Sequence, residues 1–131
     1  MSLETGIFTL LTQDATVGPL VGNSRVYPVL MAPNSAYPAI VYRVGEIETL
    51  YTLAGEAGLS QKRIYVSCHG QAYLDARSLA DAVTELLSGY HGTLADGTVI
   101  QGAFQDSEED LYDDPVRTYR TDLDFEVWVQ G

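Results

Sequence analysis

Three carboxylates near the end of the chain, Asp122, Asp124 and Glu126, recur at i, i+2 and i+4. On an extended strand that spacing puts all three on one face, where their oxygens could hold a divalent cation and support metal-assisted hydrolysis. A nuclease of that kind also needs a nearby lysine and a basic groove for its substrate. The chain has one lysine, Lys62, and six scattered arginines, so a solvated strand face or a subunit contact explains the same three residues without chemistry. A second acidic run, Asp106-Ser-Glu-Glu-Asp-Leu-Tyr-Asp-Asp114, packs six carboxylates into nine residues before Pro115. It has no central glycine and sits between strand patterns rather than helices, which an EF-hand loop does not tolerate. It reads as a mobile, solvated loop.

The usual nucleophiles are poorly placed. Cys68 and His69 are adjacent, and adjacent side chains of a strand point to opposite faces, which defeats a thiol–imidazole dyad. With His69 and His91 the only histidines and no Cys-x-x-Cys, a zinc site lacks ligands. Ser24, Ser35, Ser60 and Ser67 lie in no Gly-x-Ser-x-Gly elbow, and no glycine-rich phosphate loop occurs. No catalytic, metal-binding or cofactor-binding residue is assigned, and the chain is read as a non-enzyme.

The elements that position these residues follow from periodicity. Leu3, Ile7, Leu10 and Leu11 behind Ser2 make an amphipathic helix limited by Gly18-Pro19. Gly6 inside it costs about 1 kcal/mol relative to alanine, so docking must hold it. A short strand around Arg25-Val-Tyr-Pro28 is confined to an edge or ended by its proline. Ala39-Ile-Val-Tyr-Arg-Val44 is a half-buried strand. Residues 45–61, with three glycines between 45 and 58, read as a long hairpin arm leading into a strand from Lys62 to His69, antiparallel to the one before. The clearest helix spans about 71–88, with Ala72, Ala76, Leu79, Ala80, Val83, Leu86 and Leu87 as its apolar stripe and Gly89 as its stop. Asp96-Gly97 marks a tight turn before a strand from Thr98 to Phe104. The closing strand, 117–129, alternates most cleanly: Tyr119, Leu123, Phe125, Val127 and Val129 face one way and Arg120, Asp122, Asp124 and Glu126 the other. The predicted fold is α+β in the order α-β-β-β-α-β-β, an antiparallel sheet of about four to five strands with two helices on one face, forming a single domain over residues 1–131.

Charge narrows the function. Eighteen carboxylates against seven basic side chains give a net charge of −11, a surface that gains nothing from counterion release and is not built to bind nucleic acid. No run of about 18 apolar residues could cross a bilayer, and the N-terminus lacks a signal-peptide pattern. With one cysteine and therefore no internal disulfide, cytoplasmic synthesis is expected. Nine tyrosines are many for this length, and they either edge the core or serve an interface. Tyr42, Tyr51, Tyr65, Tyr73, Tyr90, Tyr112 and Trp128 are residue types favoured where an apolar ring is covered and its polar atom keeps a partner. The predicted interface residues are Leu50, Tyr51, Leu53 and Leu59 on the arm, Tyr112 on the acidic run, and Trp128, which falls on the polar face of the last strand.

Together these segments resemble a family: the small tail-completion, or tail-terminator, proteins of long-tailed bacteriophages, including head–tail joining proteins. The resemblance is carried by an N-terminal helix ending near Asp14, Val21-Gly-Asn-Ser-Arg-Val-Tyr-Pro28, Tyr37-Pro-Ala-Ile-Val-Tyr42, Ala72-Tyr-Leu-Asp-Ala-Arg-Ser-Leu-Ala80 and Asp122-Leu-Asp-Phe-Glu-Val-Trp128, in that order along nearly the whole chain. It implies a virion protein that forms a ring, usually a hexamer, capping the tail tube, stopping its polymerisation and meeting the head connector and neck proteins. The genome would pass through the lumen without specific binding, and no cofactor or membrane is implied. Two other readings fit the residues: a metal-dependent hydrolase using the strand carboxylates, and a small acidic adaptor or inhibitor with a basic partner.

Overall fold

The computed structural model describes residues 3–31, 35–52, 55–95, 97–113 and 117–130, and for 46–60, 113 and 130 the backbone alone. The elements run α1 (Leu3–Gln13), α2 (Val17–Leu20), β1 (Val26–Pro28), β2 (Ala39–Thr52), β3 (Gly55–Gly70), α3 (Tyr73–Leu87), β4 (Gly92–Thr93), β5 (Val99–Asp113) and β6 (Thr118–Gln130). The fold is α+β as expected, but its sheet has six strands in the order β1-β2-β3-β6-β5-β4, and β1 lies parallel to β2 while the other pairs are antiparallel. The sheet is therefore mixed. Antiparallel pairing throughout could not be expected of β1, whose three residues are joined to β2 by a long connection rather than a hairpin.

The core lies between the sheet and α1 and α3. The strand positions Ile64, Val66 and Cys68 of β3 and Leu123, Phe125, Val127 and Val129 of β6 are buried, alternating with less buried neighbours as a period of two requires. Ile7 and Leu11 of α1 and Leu79, Val83 and Leu87 of α3 close the other side. Burying a side chain of this size contributes roughly 1.5–3 kcal/mol each. Tyr42 belongs to this core rather than to an interface: it is buried, and its hydroxyl donates to the Glu4 carbonyl oxygen at 3.0 Å, tying α1 to β2. Burial, and then the charge of Glu4, raise its pKa.

Two expectations about the local chain are corrected. Gly18-Pro19 does not end a helix but sits inside the short α2. The Asp14 carboxylate accepts from the Thr16 and Val17 N–H groups at 3.0 and 2.9 Å, and a proline in the first turn costs no intrahelical bond. The acidic run is not a loop either: residues 106–113 continue β5, with a register shift between Gln105 and Ser107. Asp114 and Pro115 lie outside the described residues, as does the predicted cap Ser2. The tight turn is present, with Gly97 at φ +96° and its N–H on the Leu94 carbonyl oxygen; Asp96 is outside the described residues.

Candidate assembly surfaces

The acidic strand holds because its charges have partners on other elements. Arg77 of α3 binds three carboxylates: Asp81 one turn on (Nη2–Oδ1 2.7 Å), Asp110 (Nη1–Oδ1 3.2 Å) and Glu108. Residues i, i+4 and i+8 of a helix advance about 6 Å per step, close to the spacing of alternate strand residues. Tyr73, Arg77 and Asp81 thus run alongside Glu108, Asp110 and Tyr112. The Tyr73 hydroxyl and the Thr121 hydroxyl both donate to Asp110, at 3.0 and 2.8 Å. The hydrogen bond from Thr121 leads in lowering the Asp110 pKa, and that to Glu108 leads in raising the Arg77 pKa. On the opposite face Arg63 pairs with Asp106 at 2.5 Å.

Among the described residues no helix packs on that opposite face. Val41, Tyr65, Ser67, Asp122, Asp124, Glu126 and Trp128 are partly exposed there, and Phe104 is 57% exposed. The three strand carboxylates share this face as the period of two demands, yet each has its own neighbour. Asp122 lies 3.0 Å from Arg120 Nε, an ion pair by distance that is not aligned as a hydrogen bond. Asp124 accepts from Ser107 Oγ at 3.0 Å, and Glu126 accepts from Gln61 Nε2. Among the described residues no three His, Cys, Asp or Glu converge on a point that could hold a cation. Cys68 faces the core, where burial pushes its thiol pKa far up, while His69 is on the open side: the thiol is neither ionised nor beside a base.

The predicted interface residues fall into two places. The arm exists: β2 and β3 stay paired to Thr52–Gly55, whereas β6 ends opposite Leu59, so the hairpin outruns its third strand by four residues, about 13 Å. Leu50 and Tyr51 lie on β2 and Leu59 on β3; Leu53 is outside the described residues. Trp128 is near the base of this arm, between Gln61 and Gly102 in the ladder. Tyr112, on β5, pairs with Tyr119 at the other end of β6 and is half exposed, with its ring 4.9 Å from that of Tyr119, which also meets Tyr73 edge-on at 6.0 Å. Nine residues of strand, roughly 30 Å, separate Tyr119 from Trp128, so the structure does not gather them into one site.

Sequence reasoning passed over the turn after β1. Val29 adopts φ +66°, a left-handed conformation that a β-branched residue adopts only under constraint. Its N–H bonds the Tyr42 carbonyl oxygen at 2.8 Å, and the next N–H, of Leu30, reaches back to Pro28 at 2.7 Å. The result leaves Val29 and Leu30 70% and 79% exposed. The missed signal was Pro-Val-Leu-Met, an apolar run directly after a strand-ending proline.

The domain thus has two layers, a sheet face on which no helix packs among the described residues, a projecting hairpin and carboxylates engaged one by one. Comparison with known proteins gives it a family. The family described as tail completion protein gp17 matches residues 5–130, and the chain belongs to that family: it is a structural protein of a phage-like tail, not an enzyme. A chain in the solved structure "Virion of native gene transfer agent (GTA) particle" is similar over 99% of this chain and 96% of that one, with a TM-score of 0.77 at 22% identity, which shows the shared fold. A comparison with curated protein sequences gives no match.

Proposed function

We propose that this protein forms a closed ring, of six copies in the simplest case, at the head-proximal end of the tail tube, where it ends tail polymerisation and offers the head connector its joining surface. The observation that carries this reading is the family match across residues 5–130. The physical features agree with it. A ring is made by head-to-tail contacts between two different patches, and the domain has distinct surfaces to supply them: the β2–β3 arm, the open sheet face with Phe104 and Trp128, and the Tyr73–Tyr112–Tyr119 cluster. In this reading the arm residues Leu50, Tyr51, Leu53 and Leu59, with Trp128 at its base, meet a neighbouring subunit or the tail tube protein, and Tyr112 meets a partner at the other end. A net charge of −11 gives the lumen little attraction for passing DNA.

The test is particle morphology. Thr49 and Ser60 are ladder partners, so residues 50–59 can be replaced by Asn-Gly, which suits a two-residue hairpin turn, at the cost of only the Leu59–Gln130 rung of the β3–β6 ladder. Negative-stain images should show a ring at the upper end of wild-type tails. Tails made with the shortened arm should run over-length or stay unjoined to heads. Normal, joined tails with the shortened arm would remove the arm from the mechanism, and tails lacking any ring in the wild type would end the ring reading.

A further inference from the structure

We infer that the outer edge of β5 takes up an extended, Lys/Arg-rich segment of another protein as an added strand; the contact goes beyond the ring reading and does not require it. β4 pairs with β5 only at Val99 and Ile100, and the Gly89 N–H bonds the Ala103 carbonyl oxygen at 2.7 Å. Past the register shift, Ser107 to Asp113 pair with β6 without interruption, and among the described residues no strand lies on their other side. Residues 107–113 span about 23 Å of strand, longer than the usual strand of about five or six residues. The N–H and C=O groups along such an edge are a ready template for one more strand.

Side-chain charge selects which strand. Asp106, Glu108, Glu109 and Asp110 share two arginines: Arg63 holds Asp106, and Arg77 is divided among Glu108, Asp110 and Asp81. Glu109 is exposed and has no ion pair among the described residues. It stands opposite Asp122 in the β5–β6 ladder, and like charges directly opposite destabilise a sheet. A lysine or arginine on an added strand becomes the cross-strand neighbour of Glu109 on its free side and relieves that repulsion. A second copy of this chain cannot supply it. Its net charge is −11, and its longest cationic run is Lys62-Arg63, on a strand already flanked by β2 and β6. Acidic segments and polyanions are refused by the same field. The backbone edge provides attachment, and the unpaired carboxylate provides the choice of partner.

The test uses the full chain and a synthetic peptide of alternating lysine and threonine, whose lysines share one face when extended. It should bind and slow hydrogen exchange within residues 107–113, and a peptide of alternating glutamate and threonine should do neither. N-methylation of two adjacent central residues blocks both edges of the lysine peptide at unchanged charge, and should weaken binding about tenfold through lost backbone hydrogen bonds. Glu109→Lys should melt no lower than wild type, because the new cation faces Asp122, yet bind the unmodified peptide about fivefold more weakly. In purified particles, a photo-crosslinking residue in place of Leu111 should join to a Lys/Arg-rich segment of a different protein. A methylated peptide that binds like its parent, slowed exchange only outside 107–113, Glu109→Lys that binds like wild type, no binding at all, or cross-links only to copies of this chain each overturn the added strand. Rings seen on tails without peptide binding keep the ring and refute this contact; peptide binding at 107–113 without rings does the reverse.

Discussion

Replacing Arg77 by methionine keeps the stem of the side chain against its surroundings and removes only the guanidinium that binds Asp81, Glu108 and Asp110. The arginine is 21% exposed and its partners 66%, 40% and 41%, so water screens each pair. Exposed pairs contribute about 0.2–1 kcal/mol apiece. Three on one guanidinium, together with the repulsion left among the carboxylates, make the loss about 1–2 kcal/mol at pH 7. For a chain of this length that lowers the melting temperature by about 4–8 °C. Salt and pH identify the cause. In 1 M salt the screening length falls to about 3 Å, and the gap between wild type and variant should narrow by about half. Asp110 has its folded pKa depressed below the ordinary 3.8. Its contribution is therefore present above that value and lost as the pH falls through the lower folded one, so the gap should narrow as the pH is lowered past 3.8. Melting curves followed by circular dichroism, at pH 7 in low and high salt and in steps to acid pH below 3.8, measure all of this. A gap unchanged down to the lowest pH at which the protein still folds, or none at pH 7, would refute the electrostatic clamp.

Three shorter predictions accompany it. Alanine at Asp122, Asp124 and Glu126 together should leave tail completion intact, and magnesium or calcium should not raise the wild-type melting temperature; a cation-dependent rise lost in the triple variant would restore the hydrolase reading. At Gly70 an added Cβ would meet the Ala76 nitrogen at 2.6 Å and the Asp75 Cβ at 2.8 Å, so Gly70→Ala should cost about 1–3 kcal/mol in urea unfolding by pushing α3 off the sheet; an unchanged midpoint would show that the helix start yields freely. Val29→Asn should raise stability by about 1 kcal/mol, since asparagine tolerates the left-handed backbone better than a β-branched residue and little burial is lost at this exposed site. Equal or lower stability would mean the turn carries no strain.

Regular alternation made the core strands readable. The period of two over 119–129 placed Leu123, Phe125, Val127 and Val129 inside and the carboxylates outside, because a strand's faces follow from its own backbone geometry. The helix over 73–87 and the arm were legible for the same local reason. The acidic run misled because six carboxylates in nine residues look too charged to be ordered. Their cost is offset by Arg77, Arg63 and Thr121, and none of those partners is nearby in sequence. Charges on a strand segment also guard against unwanted pairing, an advantage visible only once β4 is seen to pair with β5 at Val99 and Ile100 alone.

By itself, then, the order of residues determined the composition of each face, the helix and strand types of the longer elements, the acidic surface and the absence of a motif for bond-making chemistry, all of which depend on neighbours along the chain. Only the tertiary structure decided that β1 runs parallel at one edge, that Tyr42 is core while Trp128 is not, and that an arginine on α3 holds an acidic strand straight. It also decided that the turn after β1 holds Val29 in a left-handed conformation with Val29 and Leu30 exposed. Those depend on which distant segments meet, and that is settled by the burial of the whole sheet against its helices.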